Sequence, residues 1–173
     1  ENKQFLREHL GKQKRNIKNI IFFGGSKVAK RTVHNLPDDL NIKILEADRD
    51  RCYQLSETIN NALIINADGS DMSVLKDEGI EDADAFVAVT DSSEANIFAC
   101  MAAKRFGVKK TIAEVENIDY IAMAEGLEIG AVLNKKTIAA SYIYQMLLDD
   151  SVLNVRALTS ADAEIVEFIA EEG

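Results

Sequence analysis

The chain has 173 residues, of which 47% are hydrophobic and 28% are charged, and its formal net charge is −9. These values are typical of a soluble globular protein with one main domain. The acidic balance argues against nucleic acid as a partner, and no apolar run approaches the roughly 20 residues that a membrane-spanning helix needs.

Short β-rich runs alternate with helical patterns along the chain. In chain order, the patterns predict a strand at 17–23, a helix at 27–35, a strand at 41–46, a helix at 48–57, a strand at 62–66, a short helix ending at 78, a strand at 85–89, a longer helix ending at 106, a strand at 110–115, a helix at 117–127, a strand at 131–133, a helix at 137–148, and strands at 152–158 and 164–169. Continuous apolar strands between helices are typical of a parallel sheet covered on both faces. The predicted fold is therefore a Rossmann-like, doubly wound, three-layer α/β/α domain.

Polar residues at the starts of the helices are predicted N-caps, because their side chains can accept a hydrogen bond from a free N–H group of the first turn. They are Asp48, Ser70 or Asp71, Ser92 or Ser93, and Asn117. In the longer helix, apolar residues recur at three- and four-residue steps, which predicts a buried face made by Ala95, Phe98, Ala102 and Phe106.

The first strand runs directly into the sequence Gly-Gly-Ser-Lys-Val-Ala at 24–29. It aligns with the dinucleotide fingerprint G-x-G-x-x-G/A, with Ser26 at the second glycine position. Gly24 allows the tight turn out of the strand, and the free N–H groups and dipole of the next helix favour a phosphate, as does the charge of Lys27. The Cβ of Ser26 narrows the approach of a pyrophosphate, although its hydroxyl could donate to one.

An acidic residue ends the second strand at Glu46, 22 residues after Gly24. The fingerprint expects an acid at about this spacing, where it accepts hydrogen bonds from the adenosine ribose. Its charge repels a 2′-phosphate, which favours NAD, ADP or ATP over NADP, although the nearby Arg49 leaves NADP open. The alternative is a solvated carboxylate at the end of a strand.

Two more strand ends carry polar residues, and ligands of such sheets lie outside the carboxyl ends of the strands. Asp68 is expected on the adenine side, and Thr90 and Asp91 near the phosphates or a second ribose. Either acid could instead be a helix cap. The predicted binding residues, with their loop neighbours, are Gly24, Gly25, Ser26, Lys27, Val28, Glu46, Ala47, Asp68, Gly69, Thr90 and Asp91.

The sequence offers no catalytic or metal-binding pattern. His9 and His34 have no evident partner for acid–base chemistry, and no G-x-S-x-G motif or P-loop occurs. Cys52 and Cys100 are too few for a disulfide framework or a zinc site, so we expect both to pack as small apolar residues in a reducing cytosol. The chain is therefore expected not to be an enzyme.

Four segments resemble the RCK domains, also known as TrkA N-terminal (KTN-type) domains, which regulate potassium conductance. They are the run at 24–29, Glu-Ala-Asp-Arg-Asp-Arg-Cys at 46–52, Ala-Asp-Gly-Ser at 67–70 and Thr-Asp-Ser-Ser-Glu-Ala-Asn at 90–96. The likeness spans residues ~15–148, and the acid–Ser–x–Glu–x–Asn run that begins at Asp91 is its most specific part.

The resemblance implies a regulatory nucleotide-binding domain of a Trk-type potassium uptake system. It implies that such domains form dimers and then rings on the cytoplasmic face of a membrane pore. Binding of NAD(H) or ATP/ADP to the ring would gate this pore. The resemblance implies that Gly24, Ser26 and Lys27 meet phosphates, Glu46 the ribose and Asp68 the adenine. Because Ser26 departs from the fingerprint, a mononucleotide or no bound nucleotide stays open.

The resemblance also predicts the domain organisation, since chains of this kind carry two such domains in tandem. Residues 1–16, with a weak helical pattern that stops at Gly11, are expected to be a linker from a preceding domain. Residues 17–150 form the Rossmann-type nucleotide-binding domain, the second of the pair, and residues 151–173 begin a C-terminal subdomain that is truncated here.

Three alternatives remain open on the sequence. The chain could be a fragment of an NAD-dependent oxidoreductase. It could be a methyltransferase, although the glycine loop lacks the usual spacing. It could also be a degenerate scaffold domain that binds nothing and only joins subunits.

Overall fold

The computed structural model describes residues 17–147 in full and the backbone of residues 152–158 and 163–168. Six strands form a parallel sheet in the order β3-β2-β1-β4-β5-β6. They are β1 (Asn19–Phe23), β2 (Asn41–Glu46), β3 (Leu63–Asn66), β4 (Ala85–Ala88), β5 (Lys110–Glu114) and β6 (Ala131–Leu133). The predicted Rossmann-like α/β fold is confirmed.

Helices connect successive strands of this sheet. They are α1 (Lys27–His34), α2 (Arg49–Ser56), α3 (Met72–Asp77), α4 (Ser93–Arg105), α5 (Ile118–Gly126) and α6 (Lys135–Leu147), with a 3-10 turn at Ile80–Asp82. The side chains of the N-caps accept backbone N–H bonds at Ser26, Asp48, Asp71, Ser92 and Asn117. Helix α6 begins two residues earlier than predicted, because Asn134 Oδ1 accepts the N–H of Thr137 at 2.9 Å.

The core has two parts because neighbouring strand residues point to opposite faces of the sheet. On one face, Phe22 of β1 packs with Ala29 and Val33 of α1 and Leu55 of α2. On the other face, Phe23 belongs to a cluster that includes residues of α3, α4 and α5. The helices therefore cover both faces of the sheet, which explains why the strands read as continuous apolar runs.

The predicted buried face of α4 is wrong at Phe98. Phe98 is 67% exposed, whereas the helix buries Asn96, Ile97 and Cys100. Most positions of this helix carry alanine or another apolar residue, so the apolar period does not distinguish one face, and the small side chains lie against the sheet. Burial raises the pKa of the Cys100 thiol to about 12, in keeping with a packing role.

The last two strands form a separate antiparallel pair, β7 (Val152–Leu158) and β8 (Ala163–Phe168), with Leu158 opposite Ala163. The predicted β8 was one residue further along the chain. The predicted linker at 1–16 and its helix end at Gly11 lie outside the described residues. The assignment of 151–173 to a second subdomain stays a prediction.

Candidate functional site

The strand order reverses between β1 and β4, which are neighbours in the sheet. Phe23 pairs with Ala88 at the carboxyl ends of these strands, and Val89 N donates to Phe23 O at 2.9 Å. The chain leaves β1 toward α1 on one face and leaves β4 toward α4 on the other. The loops that follow the two strands therefore enclose a crevice, which is where ligands of open α/β sheets bind.

Gly24 forms the floor of this crevice. Its φ is +97°, and a Cβ there would lie 2.9 Å from Thr90 Cγ2 and 3.0 Å from Thr90 N. A Cβ on Gly25 would clash with Leu55 Cδ1 and stand 3.0 Å from Glu46 Oε2. The loop can therefore approach both Thr90 and Glu46 closely only because it lacks these two side chains.

Ser26 has an extended backbone, with φ −66° and ψ 168°, which any residue adopts. Its Oγ accepts the N–H of Ala29 at 3.3 Å and so caps α1. A serine here causes no backbone strain. It changes only the room above the loop and adds one hydroxyl proton that remains available to a ligand.

Glu46 holds the glycine loop against the start of α2. Its side chain is 8% exposed. Oε2 accepts the N–H of Gly25 at 2.8 Å, and Oε1 accepts the N–H of Asp48 at 2.8 Å. Arg51 Nη1 lies 3.6 Å from Oε2. The interpretation of Glu46 as a solvated strand-end carboxylate is therefore wrong. Each carboxylate oxygen keeps a further lone pair for a ligand hydroxyl.

The acids in the loops after β3 and β4 are Asp68 and Asp91, and neither caps a helix. Asp68 Oδ1 accepts the N–H and the hydroxyl of Ser70, at 2.9 and 2.7 Å, within its own loop. The caps of α3 and α4 are Asp71 and Ser92, so the cap alternative is wrong for both Asp68 and Asp91. Both carboxylates are exposed at the crevice.

Two adjoining cavities occupy the crevice. The first, of about 330 Å³, we call the acidic cavity, because Glu46, Asp68 and Asp91 line it. Its remaining lining residues are Phe23, Gly24, Ser26, Leu45, Ala47, Arg51, Ser70, Val89, Thr90 and Ala95.

The second, of about 490 Å³, we call the basic cavity, because Lys27, Lys30, Arg51 and Lys135 line it. Its other lining residues are Gly25, Ser26, Val28, Gln54, Leu55 and Asp91. The two cavities share Ser26, Arg51 and Asp91.

The structure brings the predicted site residues together at these cavities, with one exception. Gly69 is buried and lines neither cavity; a Cβ on it would lie 2.5 Å from Phe23 Cδ2. It lets the β3–α3 loop lie close against Phe23. The others all line one cavity or both.

Three cationic residues of the site were not predicted: Lys30, Arg51 and Lys135. The arginine named from the sequence, Arg49, instead stacks over Tyr53 at 5.7 Å and donates to the Tyr53 hydroxyl at 3.2 Å. The guanidinium beside Glu46 is that of Arg51, five residues further along the chain than Glu46. The helical period of α2 could have shown this, whereas Lys135 comes from a distant part of the chain and gives no local signal.

Two buried asparagines fix the loops on the β4–β5 side. Asn96 Oδ1 accepts the N–H and hydroxyl of Thr90, at 3.0 and 2.7 Å, and its Nδ2 donates to Thr90 O and Glu114 O, at 3.0 and 2.9 Å. Asn134 Nδ2 donates to Val115 O at 2.7 Å and to Glu116 O at 3.2 Å. The bonds of Asn96 hold Thr90 in place at the edge of the acidic cavity.

An ion-pair cluster lies where α6 begins. Lys135 Nζ lies 2.7 Å from Glu114 Oε1 and 2.9 Å from Glu116 Oε1, and the Glu114 side chain is 3% exposed. Hydrogen bonding to the two carboxylates raises the pKa of Lys135 above its ordinary value. The cluster joins the carboxyl end of β5 to the first residue of α6.

A larger cavity, of about 640 Å³, lies at the opposite edge of the sheet, where β1, β2 and β3 begin. Asn19, Asn41 and Leu63 line it. The turn at Gly79 also lines it. The glycine turn after β1 and the N-terminus of α1 lie at the carboxyl edge instead, so that edge is the better candidate for a functional site.

Within residues 17–147, 152–158 and 163–168, no group of three or more His, Cys, Asp or Glu residues could hold a metal ion. In the same described part of the chain, none of the helices combines the length and the apolar character needed to cross a membrane.

A parallel sheet defines a Rossmann-type domain when it has a glycine turn after β1, a buried carboxylate at the end of β2 and a crevice between the loops that follow β1 and β4. The family model of the TrkA-N domain matches residues 20–135. The chain belongs to the TrkA-N domain family.

Curated relatives carry names from potassium uptake. Trk system potassium uptake protein trkA homolog 1 of Methanosarcina mazei is 33% identical over 135 residues, covering 78% of this chain and 33% of the relative. Trk system potassium uptake protein TrkA of Halomonas elongata is 29% identical over 161 residues, covering 93% of this chain and 35% of the relative. The chain thus spans about a third of the length of the curated relatives it matches.

Solved structures share the fold. The TrkA-N domain of the inner membrane protein ybaL from Escherichia coli superposes with a TM-score of 0.68 at 14% identity, covering 77% of this chain and 98% of that chain. The GsuK channel bound to NAD gives 0.63 at 14% identity, covering 82% of this chain and 27% of that one. GsuK bound to ADP gives 0.64 at 15% identity, covering 82% and 39%.

Proposed function

We propose that this chain is a regulatory domain of a Trk-type potassium uptake system that binds an adenine nucleotide, NAD(H) or ATP/ADP, at the carboxyl edge of its sheet. The observation that carries the proposal is the Glu46 carboxylate, buried against the glycine loop and open to the acidic cavity.

The acidic cavity suits the adenosine half of such a ligand. Glu46 offers an ionised acceptor to the ribose hydroxyls, and a hydrogen bond to a charged group contributes roughly 1.5–3 kcal/mol. Asp68, which also lines the cavity, offers acceptors to the amino group of the adenine. Ala47, which is exposed, supplies apolar surface. The carboxylates disfavour a 2′-phosphate, which favours NAD(H), ADP and ATP over NADP.

The relatives support the regulatory part of the proposal. The curated relatives are named as potassium uptake proteins, and structural neighbours were solved with NAD, ADP and AMP. We therefore propose a sensor rather than an enzyme, and place it in the cytoplasm at the inner face of the membrane beside a potassium-translocating subunit. The domain organisation proposed from the sequence, a linker, this domain and the start of a further subdomain, belongs to the same proposal.

The surface of α6 supports assembly with a second copy of the chain. None of its residues is buried, and its exposed large apolar side chains are Ile138, Tyr142, Ile143, Tyr144, Met146 and Leu147. An apolar surface of this kind is typical of an interface. In the proposed dimer, and in a ring built from it, the nucleotide regulates the pore only if it binds one arrangement of the subunits more tightly than another.

A thermal-shift titration with NAD, NADH, ATP, ADP, AMP and S-adenosylmethionine tests the proposal. A ligand at 100 times its Kd stabilises the folded state by about 2.7 kcal/mol. Ala47→Phe, at an exposed position that lines the acidic cavity, should abolish the shift. Ala122→Phe is the matched control, because Ala122 is exposed on α5 and lines neither cavity.

Each outcome of the titration has a definite meaning. A shift with an adenine nucleotide that Ala47→Phe removes and Ala122→Phe keeps supports the site. A shift with S-adenosylmethionine alone favours a methyltransferase, and no shift with any ligand favours a scaffold domain. Cells whose own gene carries Ala47→Phe should then lose nucleotide-dependent control of potassium uptake; unchanged control contradicts the regulatory role.

A further inference from the structure

The two cavities differ in charge, and we propose that the site selects an adenine nucleotide with a free phosphate chain, a nucleoside di- or triphosphate, over a dinucleotide. The inference rests on the proposed function, since it names the ligand class of the same site. The GsuK structures hold either NAD or ADP, so the fold admits both classes. The choice in this chain therefore depends on its own side chains.

The basic cavity lies next to the acidic cavity along the path that a phosphate chain would follow. Both contain Ser26 and Arg51, so a nucleotide whose ribose meets Glu46 extends its phosphates past Ser26 and over the start of α1. The N–H groups in the first turn of a helix have no partner within the helix, and they favour an anion.

Four cations surround this second cavity: Lys27, Lys30, Arg51 and Lys135. Lys27 and Lys30 are exposed, and their ammonium groups form no ion pair with any residue of the described part of the chain. Arg51 lies at the junction, 3.6 Å from Glu46 Oε2 and with its side chain 47% exposed, so it can turn toward a phosphate. The only carboxylate among the residues lining the cavity is that of Asp91.

These cations favour a terminal phosphate over a second nucleoside. A phosphate monoester carries roughly −1.5 to −2 charges at pH 7, whereas the nicotinamide riboside of a dinucleotide carries no negative charge. A dinucleotide would place this riboside beside Lys27 and Lys30, the two of these cations that form no ion pair within the described residues. Ser26 lines both cavities and adds a Cβ where the fingerprint has glycine. Lys135 also lines the basic cavity, where its ion pairs with Glu114 and Glu116 hold it in place.

Calorimetric titrations test the inference with ADP, ATP, AMP and NAD⁺ as ligands. They are done in EDTA, which removes the divalent cations that neutralise phosphates. ADP and ATP should bind at least about tenfold more tightly than NAD⁺, and also more tightly than AMP, whose single phosphate does not reach past the start of α1. The affinity for ADP should fall more steeply with added salt than that for NAD⁺, because charge attraction between exposed groups is screened.

The double variant Lys27→Gln/Lys30→Gln should weaken the binding of ADP and ATP roughly three- to tenfold, which is the effect expected for two exposed charge pairs. It should change the affinity for NAD⁺ much less. Arg31→Gln is the matched control: it removes one positive charge from an exposed position of the same helix, and Arg31 lines neither cavity. Because the substituted side chains are exposed, the melting temperatures should stay close to that of the parent.

Equal affinity for ADP and NAD⁺ overturns the inference while the proposed function stands. The inference is also overturned if the double variant weakens the binding of ADP and of NAD⁺ equally. The same holds if Arg31→Gln weakens the binding of ADP as much as the double variant does. If no adenine nucleotide binds, the inference and the proposed nucleotide site fall together.

Discussion

Asn96 makes the sharpest prediction about what holds the crevice in shape. The Asn96→Ala variant loses four hydrogen bonds, three of them to Thr90 and one to Glu114 O. Each is worth roughly 0.5–1.5 kcal/mol net, and buried groups left unpaired cost more. Thr90 is partly exposed and can recover some bonds with water. We therefore expect Asn96→Ala to lower the free energy of unfolding by about 3–4 kcal/mol, which is a large share of the roughly 5–15 kcal/mol by which a domain is stable.

Urea unfolding followed by circular dichroism measures this loss as a lower midpoint at an unchanged slope. Asn35→Ala is the control, because Asn35 is exposed and its side chain makes a single bond, to Arg31 O at 2.7 Å; it should change stability by no more than about 0.5 kcal/mol. Asn96→Asp keeps the acceptor but replaces the donor that faces two carbonyls, so it should be at least as destabilising as the alanine variant. A cost below about 1 kcal/mol for Asn96→Ala would refute the reasoning.

Four further changes test other parts of the site. Gly24→Ala should lower the free energy of unfolding, measured with urea, by about 2–4 kcal/mol, because φ is +97° and the new Cβ would lie against Thr90. Gly107→Ala is the control, since φ is +94° but nothing lies within 4 Å of the new Cβ, and it should be clearly less destabilising. Equal losses of stability would contradict the close approach of Gly24 to Thr90. Glu46→Ala should weaken binding of NAD or ATP at least several-fold by calorimetry, and unchanged affinity removes Glu46 from the site. Ser26→Gly should raise the affinity for NAD; if it does not, the Cβ of Ser26 does not obstruct a dinucleotide. Lys135→Gln should lower the free energy of unfolding by roughly 1–3 kcal/mol near neutral pH, because it leaves the buried Glu114 without its cation. The loss is smaller than for a fully buried ion pair, because Lys135 is partly exposed to solvent. Because the pKa of Lys135 is raised in the folded state, this stabilisation is fully present below its ordinary value of 10.5 and is lost as the pH rises through the higher folded value. The difference in unfolding free energy between parent and variant should therefore stay constant up to about pH 10 and shrink above it; a decline that begins near pH 7 would assign the effect to another group.

The fold could be predicted because its signals are local. The apolar runs of β2 and β6 matched the observed strands at both ends, and Asp48 and Asn117 cap their helices as predicted. The face of α4 could not be predicted, because apolar residues occur on all sides of the helix and only the packing against β4 and β5 decides that Phe98 points outward.

The candidate site was predictable as a set of strand ends but not as a set of bonds. Gly24 and Glu46 follow from the fingerprint spacing, yet only the structure reveals that the carboxylate accepts the N–H groups of Gly25 and Asp48. Lys135 reaches the basic cavity from a helix more than one hundred residues beyond Ser26, and contacts between such distant parts of the chain depend on the assembled sheet. The binding roles of the predicted residues stay predictions.

Mapping amide chemical shifts during a titration with ADP shows directly whether an adenine nucleotide binds at the carboxyl edge of the sheet. Binding there should give saturable shifts concentrated at residues 24–28, 46–47, 68–70 and 90–92. Shifts concentrated at the opposite edge, around the cavity lined by Asn19, Asn41 and Leu63, or no saturable shifts at all, would contradict it.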